Sequence, residues 1–213
     1  MKCFDPRVRL PGLFTSLFKD AVWRFDKTDK VVYLTFDDGP IPEVTPWVLE
    51  LLEKEDIKAT FFCVGENVRK YPEVYNQILK GGHSVGNHTF NHWQGLKNND
   101  QDFFSNIEKA GELIDSDLFR PPHGWLKYSQ YKFLKYKFRI IMWDLISCDY
   151  DRRIKPEKVL KNVTDFVRPG SIITFHDSIK ARNNLMNALP LSIKWMKEQG
   201  YRFEAIPFNK RIK

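Results

Sequence analysis

The stretch VVYLTFDDGP, residues 31–40, decides the fold of this chain. Residues 31–34 form an apolar run rich in β-branched and aromatic side chains, which predicts a buried strand over residues 31–36. Two adjacent carboxylates, Asp37 and Asp38, follow, and Gly39 and Pro40 then end the strand in a turn. On these residues alone, a capped strand end that starts the next helix and a pair of catalytic carboxylates are equally good explanations.

Strand and helix patterns alternate along the rest of the chain. Further strands are predicted at residues 57–64, 83–86, 118–120, 138–143, 171–175 and 201–206, and helices at 42–55, 72–80, 102–114, 156–167 and 184–199. Such alternation indicates a parallel sheet covered by helices. Seven strands in about 180 residues predict a single-domain α/β fold that forms a barrel or a near-barrel.

The barrel domain is predicted to span residues 28–207, between an N-terminal arm, residues 1–27, and a basic tail, residues 208–213. In the arm, residues 13–23 carry apolar side chains at helical spacing, which indicates a short amphipathic helix. We expect this helix to pack on the domain. The alternative is a helix lying on a membrane surface, which would make the arm a peripheral membrane contact.

Composition limits the classes of protein to consider. A chain of 213 residues with 42% hydrophobic residues can bury a sizeable core. The net charge of +7 favours an anionic polymer or membrane surface as a partner. The basic residues are spread along the chain without a dense run, which indicates a solvated surface and argues against a nucleic-acid partner. Oligomeric state leaves no signature in the sequence.

Cysteine content and hydropathy bear on the compartment. The chain has three cysteines, none at CxxC spacing, and Cys63 in an apolar run is predicted to be a core thiol. No signal peptide and no run long enough to cross a bilayer is visible, so the sequence predicts a soluble, cytoplasmic protein.

Polar residues cluster after the predicted strands. In barrels of parallel strands, chemistry takes place at the C-terminal ends of the strands. The polar groups there are, in chain order, Asp37, Asp38, His88, His92, Arg120, Asp144, Asp149, His176 and Asp177. This coincidence of position favours a catalytic site over a set of unrelated surface residues.

Three of these residues form a candidate metal site. His88 and His92 are spaced i and i+4, so on one helical turn they would face the same side and hold one ion. Asp38 would add a carboxylate from a neighbouring strand end. Two histidines and one carboxylate leave positions open for water and substrate, which is typical of a catalytic metal. The donor set favours Zn²⁺, with Co²⁺, Mn²⁺ and Ni²⁺ as alternatives.

The remaining groups suit acid–base catalysis. Asp37 is a candidate general base for a water molecule, and Arg120 would pair with it and hold it ionised. The alternative for Arg120 is a salt bridge at the barrel mouth. His176 would protonate a leaving amine while a carboxylate orients its ring; the alternative is a hydrogen-bonded core histidine.

Five motifs together resemble those of the NodB-homology polysaccharide deacetylases, carbohydrate esterase family 4. They occur in the family's order at residues 35–40 (TFDDGP), 88–92 (HTFNH), 120–124 (RPPHG), 143–150 and 172–177. The similarity covers about residues 30–206. It implies a distorted (β/α)7-type barrel, a divalent metal and removal of N-acetyl groups from a glycan.

The resemblance also implies roles for single residues. It makes Asp37 the base, tuned by Arg120, and His176 the acid, oriented by Asp149. The metal ligands would be Asp38, His88 and His92. The backbone N–H of His123 would hold the oxyanion, and Trp143 and Thr174 would be among the substrate contacts. Three motifs depart from the family pattern: His123 replaces a Tyr, Ile146 and Tyr150 replace Asp and Trp, and Thr174 replaces a Leu of the acetate pocket. The catalytic set is complete, whereas the substrate groove differs.

The leading hypothesis is a metal-dependent amidase that removes N-acetyl groups from N-acetylhexosamine units of a chitin-oligosaccharide or peptidoglycan type of glycan, releasing acetate. One alternative is an O-acetyl esterase acting on an acetylated plant polysaccharide. The other is a glycan-binding module without catalysis.

Overall fold

Eight strands and eight α-helices make up the part of the chain that the computed structural model describes, residues 6–10, 12–26 and 28–210. The strands are β1 (Val31–Asp37), β2 (Thr60–Cys63), β3 (Ser84–Asn87), β4 (Leu118–Phe119), β5 (Arg139–Ile140), β6 (Leu145–Ile146), β7 (Ile172–His176) and β8 (Arg202–Phe203). The helices are α1 (Gly12–Ser16), α2 (Thr45–Lys54), α3 (Gly65–Lys70), α4 (Pro72–Lys80), α5 (Asp100–Gly111), α6 (Tyr128–Leu134), α7 (Pro156–Phe166) and α8 (Arg182–Glu198).

All eight strands belong to one parallel sheet. Its order is β5-β4-β3-β2-β1-β7-β6, and β8 pairs with the beginning of β1. Among the described strands, β5 and β6 at the two ends are not paired with each other, so the curled sheet forms a half-barrel. The predicted α/β fold of the distorted barrel type is therefore confirmed, with a gap in place of full closure.

One predicted strand, residues 138–143, is split in the structure. The N–H of Ile141 donates to the carbonyl of Phe119, whereas the N–H of Asp144 donates to the carbonyl of Ile172. The chain thus changes its hydrogen-bonding partner from one end of the sheet to the other within three residues. This change leaves two short strands, β5 and β6, and Asp149 follows β6 rather than the predicted fifth strand.

The central strand is β1, which the opening stretch of sequence predicted. It pairs with β2 on one side and β7 on the other, in a register that places Asp37 beside His176. Phe36 is fully buried, and its ring lies 5.0 Å from that of Phe61. Burial from both sides explains the continuous apolar run, and the register brings the ends of β1 and β7 to one site.

The N-terminal arm packs on the domain. Its helix α1 ends at Ser16, so the predicted helical span to residue 23 is too long. Val22 and Arg24 instead make β-bridges to Ile141 and Ser171, because extended backbone can pair with the sheet where a helix cannot. Contact of the arm with a membrane stays a prediction; residues 1–5 and 211–213 lie outside the described residues. No helix of the described part has the length and apolar character needed to cross a bilayer.

Candidate active site

Three side chains at the C-terminal ends of β1 and β3 form a cluster suited to a metal ion. The Nε2 atom of His92 lies 3.1 Å from Oδ1 of Asp38, and that of His88 lies 3.8 Å from the same oxygen. One ligand atom from each of the three residues lies within 4.8 Å of the other two. Two imidazoles and a carboxylate at this separation fit a small divalent ion such as Zn²⁺.

The two histidines do not share a helical turn, so that part of the prediction is wrong. Residues 88–92 form a loop after β3 in which Thr89 and His92 have φ values of 63° and 56°. Buried Asn106 of α5 holds the loop: its Oδ1 accepts hydrogen bonds from the N–H groups of Phe90 and Asn91 at 2.9 and 3.0 Å. The loop brings the two imidazole rings to a centroid distance of 5.1 Å. The i, i+4 spacing therefore identified two histidines that do lie together, although a loop and not a helix brings them together.

Protonation at the cluster favours ion binding. The Nδ1 atom of His88 lies 2.7 Å from the carbonyl oxygen of Arg120, which fixes that nitrogen as the donor and leaves Nε2 with a free lone pair facing Asp38. Burial lowers the pKa of His88 well below its usual value, so this ring is neutral. Burial opposes ionisation of Asp38, but the hydrogen bond from His92 and nearby imidazoles hold the pKa of Asp38 below its usual value.

Residues around the cluster adopt a backbone conformation that side chains other than glycine rarely take. The φ angles of Asp38 and His123 are 83° and 59°, in addition to the two in the histidine loop. Each such residue costs about 1–3 kcal/mol and persists only where surrounding contacts hold it. Concentration of this strain around three potential ligands is typical of a functional site.

Asp37 lies beside the cluster and pairs with Arg120. Arg120 is fully buried, and its guanidinium donates to Asp37 Oδ1 at 2.6 Å, to Thr35 Oγ1 at 2.7 Å and to the carbonyl of Met142 at 2.9 Å. Its Cζ also lies 4.0 Å from the centroid of the Phe62 ring. Burial raises the pKa of Asp37 even though Arg120 and His176 oppose it. A carboxylate with a raised pKa is a better proton acceptor than an ordinary one.

His176, at the end of β7, is oriented by Asp149. The ring Nδ1 lies 2.8 Å from Asp149 Oδ1, and the backbone N–H of His176 donates to Oδ2 at 2.8 Å. Burial disfavours the charged ring, but Asp149 and then Asp38 and Asp37 outweigh it and raise the pKa of His176 to about 9. The side chain therefore holds a proton at neutral pH, as a general acid must.

Asp177 has a structural role that motif reasoning missed. It is fully buried behind the first motif, where its carboxyl oxygens accept hydrogen bonds from the N–H of Gly39 at 3.1 Å and the hydroxyl of Thr45 at 2.6 Å. A Cβ atom on Gly39 would lie 2.0 Å from Asp177 Oδ2, so only glycine allows this approach. Asp177 thus fixes the turn that presents Asp38, and its place directly after His176 was the available signal.

The cluster, Asp37 and His176 all open into one cleft of about 460 Å³. Aromatic and apolar side chains provide much of its wall, a composition suited to the faces of sugar rings. Its other lining residues are Pro6, Arg7, Leu10, His123, Trp125, Trp143, Ile146, Tyr150 and Lys180. Thr174 is not among them: it is fully buried in the sheet, and its Oγ1 lies 3.2 Å from Thr35 Oγ1. It shares a face of β7 with His176 but lies two residues further from the end of the strand, beneath the cleft.

Three residues of the N-terminal arm line this cleft, which the sequence did not indicate. The arm is anchored by backbone pairing, in which the N–H of Ile146 donates to the carbonyl of Val8 at 2.9 Å. The Arg9 side chain also donates to the carbonyl of Phe166 and lies 3.1 Å from Asp144 Oδ2. Asp144 further accepts hydrogen bonds from Arg168 and Ser171. Asp144 is thus an anchor for the arm and does not reach the catalytic groups.

Comparison with known proteins agrees with this arrangement. The polysaccharide deacetylase family model matches residues 25–136. A peptidoglycan-N-acetylglucosamine deacetylase of Bacillus cereus is 32% identical over 196 residues, which are 87% of this chain and 91% of that protein. A chitooligosaccharide deacetylase of Azorhizobium caulinodans is 32% identical over 162 residues, 72% of this chain and 77% of that protein. The chain therefore belongs to the polysaccharide deacetylase family.

Solved structures extend the comparison to three dimensions. The crystal structure of the Bc1960 peptidoglycan N-acetylglucosamine deacetylase has a TM-score of 0.84 at 30% identity, covering 92% of this chain and 95% of that chain. A CE4 family pseudoenzyme of Bacillus anthracis has a TM-score of 0.77 at 26% identity, and the match covers 87% of this chain and 67% of that chain. The family thus includes an inactive member on the same half-barrel fold, so activity must be argued from the residues of the site.

Proposed function

We propose that this protein is a metal-dependent hydrolase that removes N-acetyl groups from N-acetylhexosamine units of a glycan and releases acetate. The observation that carries the proposal is the convergence of Asp38, His88 and His92 in one cleft with a buried base and an oriented acid. Relatives named as peptidoglycan N-acetylglucosamine and chitooligosaccharide deacetylases support the substrate class.

The residues of the cleft divide the reaction between them. A divalent ion bound by Asp38, His88 and His92, for which the nitrogen and oxygen donor set favours Zn²⁺, would supply the Lewis acid that activates water and polarises the amide carbonyl. Asp37, held in place by Arg120, accepts the proton of the attacking water. His176 donates a proton to the nitrogen as acetate separates from the amine, and Asp149 keeps its ring in the required orientation. The backbone N–H of His123 is the proposed further donor to the oxyanion.

An ester substrate would use the same groups, so an O-acetyl esterase is the second candidate. A Xyl-CE4 domain of a multidomain xylanase has a TM-score of 0.76 at 26% identity to this chain. The aromatic walls of the cleft do not distinguish an acetamide from an acetyl ester. The proton requirement does, because an amine leaving group needs a general acid more than a sugar hydroxyl does.

The test is acetate release from chito-oligosaccharides, peptidoglycan strands and acetylated xylan, with the metal content of the purified protein measured by mass spectrometry. We expect release from the N-acetyl substrates at a rate that follows bound metal. H176A should reduce amide hydrolysis about 10²–10⁴-fold and ester hydrolysis less. Release from xylan alone would establish the esterase, and glycan binding without release from any substrate would establish a binding module.

A further inference from the structure

A second depression lies next to the active-site cleft. It has a volume of about 750 Å³ and lies between the chain segment that leads into α7 and the beginning of α8. Four basic side chains line it, and we call it the basic groove: Arg152, Lys155, Lys180 and Arg182. Neither the proposed chemistry nor the metal cluster uses it.

The charge of the basic groove is not neutralised within the fold. All four basic residues are exposed, and across residues 6–10, 12–26 and 28–210 none of them lies within 4.0 Å of a carboxylate oxygen. The nearby acid Asp151 already binds the guanidinium of Arg153 at 2.8 Å. Clustered cations of one sign repel one another and attract anions to a concave surface. Arg152 donates to the carbonyl oxygen of Lys180, but this contact carries no negative charge. A cluster of cations without carboxylate partners therefore suits an external anion.

The helix that borders the basic groove adds to this field. α8 has 17 residues, and its first turn, which includes Arg182, carries no acidic side chain. Its N-cap residue, Ala181, offers no side-chain hydrogen bond to the first turn, and the N–H of Arg182 donates to the backbone carbonyl of Ser178 at 3.0 Å. The positive end of a helix without a side-chain cap favours a negative charge nearby. The cations and the helix end thus act in the same direction.

The basic groove adjoins the active-site cleft. Lys180 lines both depressions, and its Nζ lies 5.5 Å from the centroid of the Tyr150 ring, which is part of the cleft wall. A polymer whose sugar is bound over the metal cluster could therefore continue directly into the basic groove. The concave shape of the basic groove and its position beside the cleft favour a segment of the substrate chain over a flat membrane surface.

We infer that the basic groove binds anionic groups of the glycan whose N-acetyl sugar occupies the cleft, so that the preferred substrate is an acidic polymer; this inference rests on the proposed deacetylase function. The anionic group is a carboxylate or a phosphate, both of which pair with guanidinium and ammonium groups. Binding there lowers KM for acidic glycans and leaves the chemical step to the cleft, since the groove contacts no reacting atom.

The test compares a neutral chito-oligosaccharide with two acidic substrates of similar length. Peptide-free strands of N-acetylglucosamine and N-acetylmuramic acid supply carboxylates, and poly(N-acetylglucosamine 1-phosphate) supplies phosphates. The quantity compared is kcat/KM for the preferred acidic substrate divided by kcat/KM for the neutral substrate. We expect K155Q/R182Q to lower this ratio about five- to twentyfold, because KM for the acidic substrate rises. In the unaltered protein this ratio should fall as salt increases, and the carboxylate and phosphate arms identify the source of the anion.

The matched control is K161Q/K194Q, which removes two exposed charges from the same helices outside the basic groove. We expect its ratio to change less than about twofold. Equal losses in both double variants would assign the effect to net charge and overturn the inference, as would no loss in either. Thermal unfolding of both variants excludes misfolding as the cause.

Calorimetric binding of the acidic strands to the same variants separates this inference from the proposed function. If no substrate releases acetate, the proposed function fails, and selective loss of strand binding in K155Q/R182Q still supports the basic groove. If acetate is released from neutral and acidic glycans with equal KM and no salt dependence, the deacetylase stands and the basic groove does not.

Discussion

Both carboxylate oxygens of Asp149 are used by one residue, His176: Oδ1 lies 2.8 Å from the ring Nδ1, and Oδ2 accepts the backbone N–H at 2.8 Å. Asp149 is fully buried, so water cannot replace either contact. Asp149 therefore fixes the orientation of the imidazole and keeps a proton on Nδ1, and Nε2 is left to face the cleft. A residue held in this way is suited to donating a proton in one direction.

Replacing Asp149 should disable His176 without removing the metal site. In D149N the amide presents a donor where the ring needs an acceptor, and we expect turnover to fall about 10²–10⁴-fold. The loss of the negative charge should also lower the pKa of His176. Because the acid must be protonated, the alkaline limb of the kcat–pH profile should move to lower pH. Normal turnover with an unchanged pH profile would exclude Asp149 as the orienting group.

Replacing Asp144 should affect the arm rather than the chemistry. D144N removes the charge that Arg9 and Arg168 share, and loss of one partner of a buried ion pair is costly. We expect the free energy of unfolding to fall by about 1–3 kcal/mol while kcat changes less than about tenfold. Chemical denaturation and steady-state kinetics measure the two effects. A kcat loss as large as that of D149N would assign Asp144, not Asp149, to catalysis.

The metal cluster should bind an ion that the fold does not require. We expect H88A and H92A to weaken zinc binding by at least about 100-fold, because each removes one of three protein ligands. H123Q is the control, since His123 lies near His92, at a ring distance of 4.9 Å, but is not part of the cluster. Titration of the metal-free protein with zinc measures affinity. Unfolding of the metal-free protein at ordinary temperature would make the ion structural.

Asp177 should behave as a positioning residue for the turn at Gly39. Burial raises the pKa of Asp177 to about 8, and asparagine keeps only one of the two acceptor oxygens that Gly39 and Thr45 use. We expect D177N to lose about 1–2 kcal/mol of stability, whereas D177A leaves both buried donors unpaired and loses about 2–4 kcal/mol. Zinc affinity should follow the same order, because the turn presents Asp38. Equal behaviour of the two variants would contradict this role.

The stability of the fold should depend on pH through His83, which lies away from the cleft. Burial, with a smaller contribution from Lys58, lowers the pKa of His83 to about 4, and its Nδ1 accepts the N–H of Ala59 at 3.2 Å. The unfolded chain binds a proton near pH 6.5 and the folded one only near pH 4, so stability falls as pH decreases through this window. H83Q should remove about 3 kcal/mol of that fall. Parallel curves for the two proteins would exclude His83 as the cause.

Much of the fold and of the candidate site is visible in the sequence. The apolar run at residues 31–34 predicts the central strand because a strand buried on both faces is largely apolar. Asp37, Asp38, His88, His92 and His176 can be found because strand ends in a parallel sheet converge. These are local signals, and each requires only a short window of sequence.

The features that the sequence left undetermined depend on contacts between distant segments. The half-barrel stays open, the histidine pair is formed by a loop, and Thr174 lies beneath the cleft instead of in its wall. Arg9 and Asp144 are 135 residues apart, and no local pattern relates them. Their ion pair can form because folding places the N-terminal arm beside β6, and the pair then holds the arm against the cleft.

The sequence by itself determined the class of fold and the chemical groups of the site, since periodicity and residue type are local properties. The tertiary structure decided which groups meet, how the arm completes the cleft, and where unpaired positive charge collects beside it. Those outcomes depend on chain packing over long sequence separations, where the free energy comes from burial and pairing that exist only after the segments have come together.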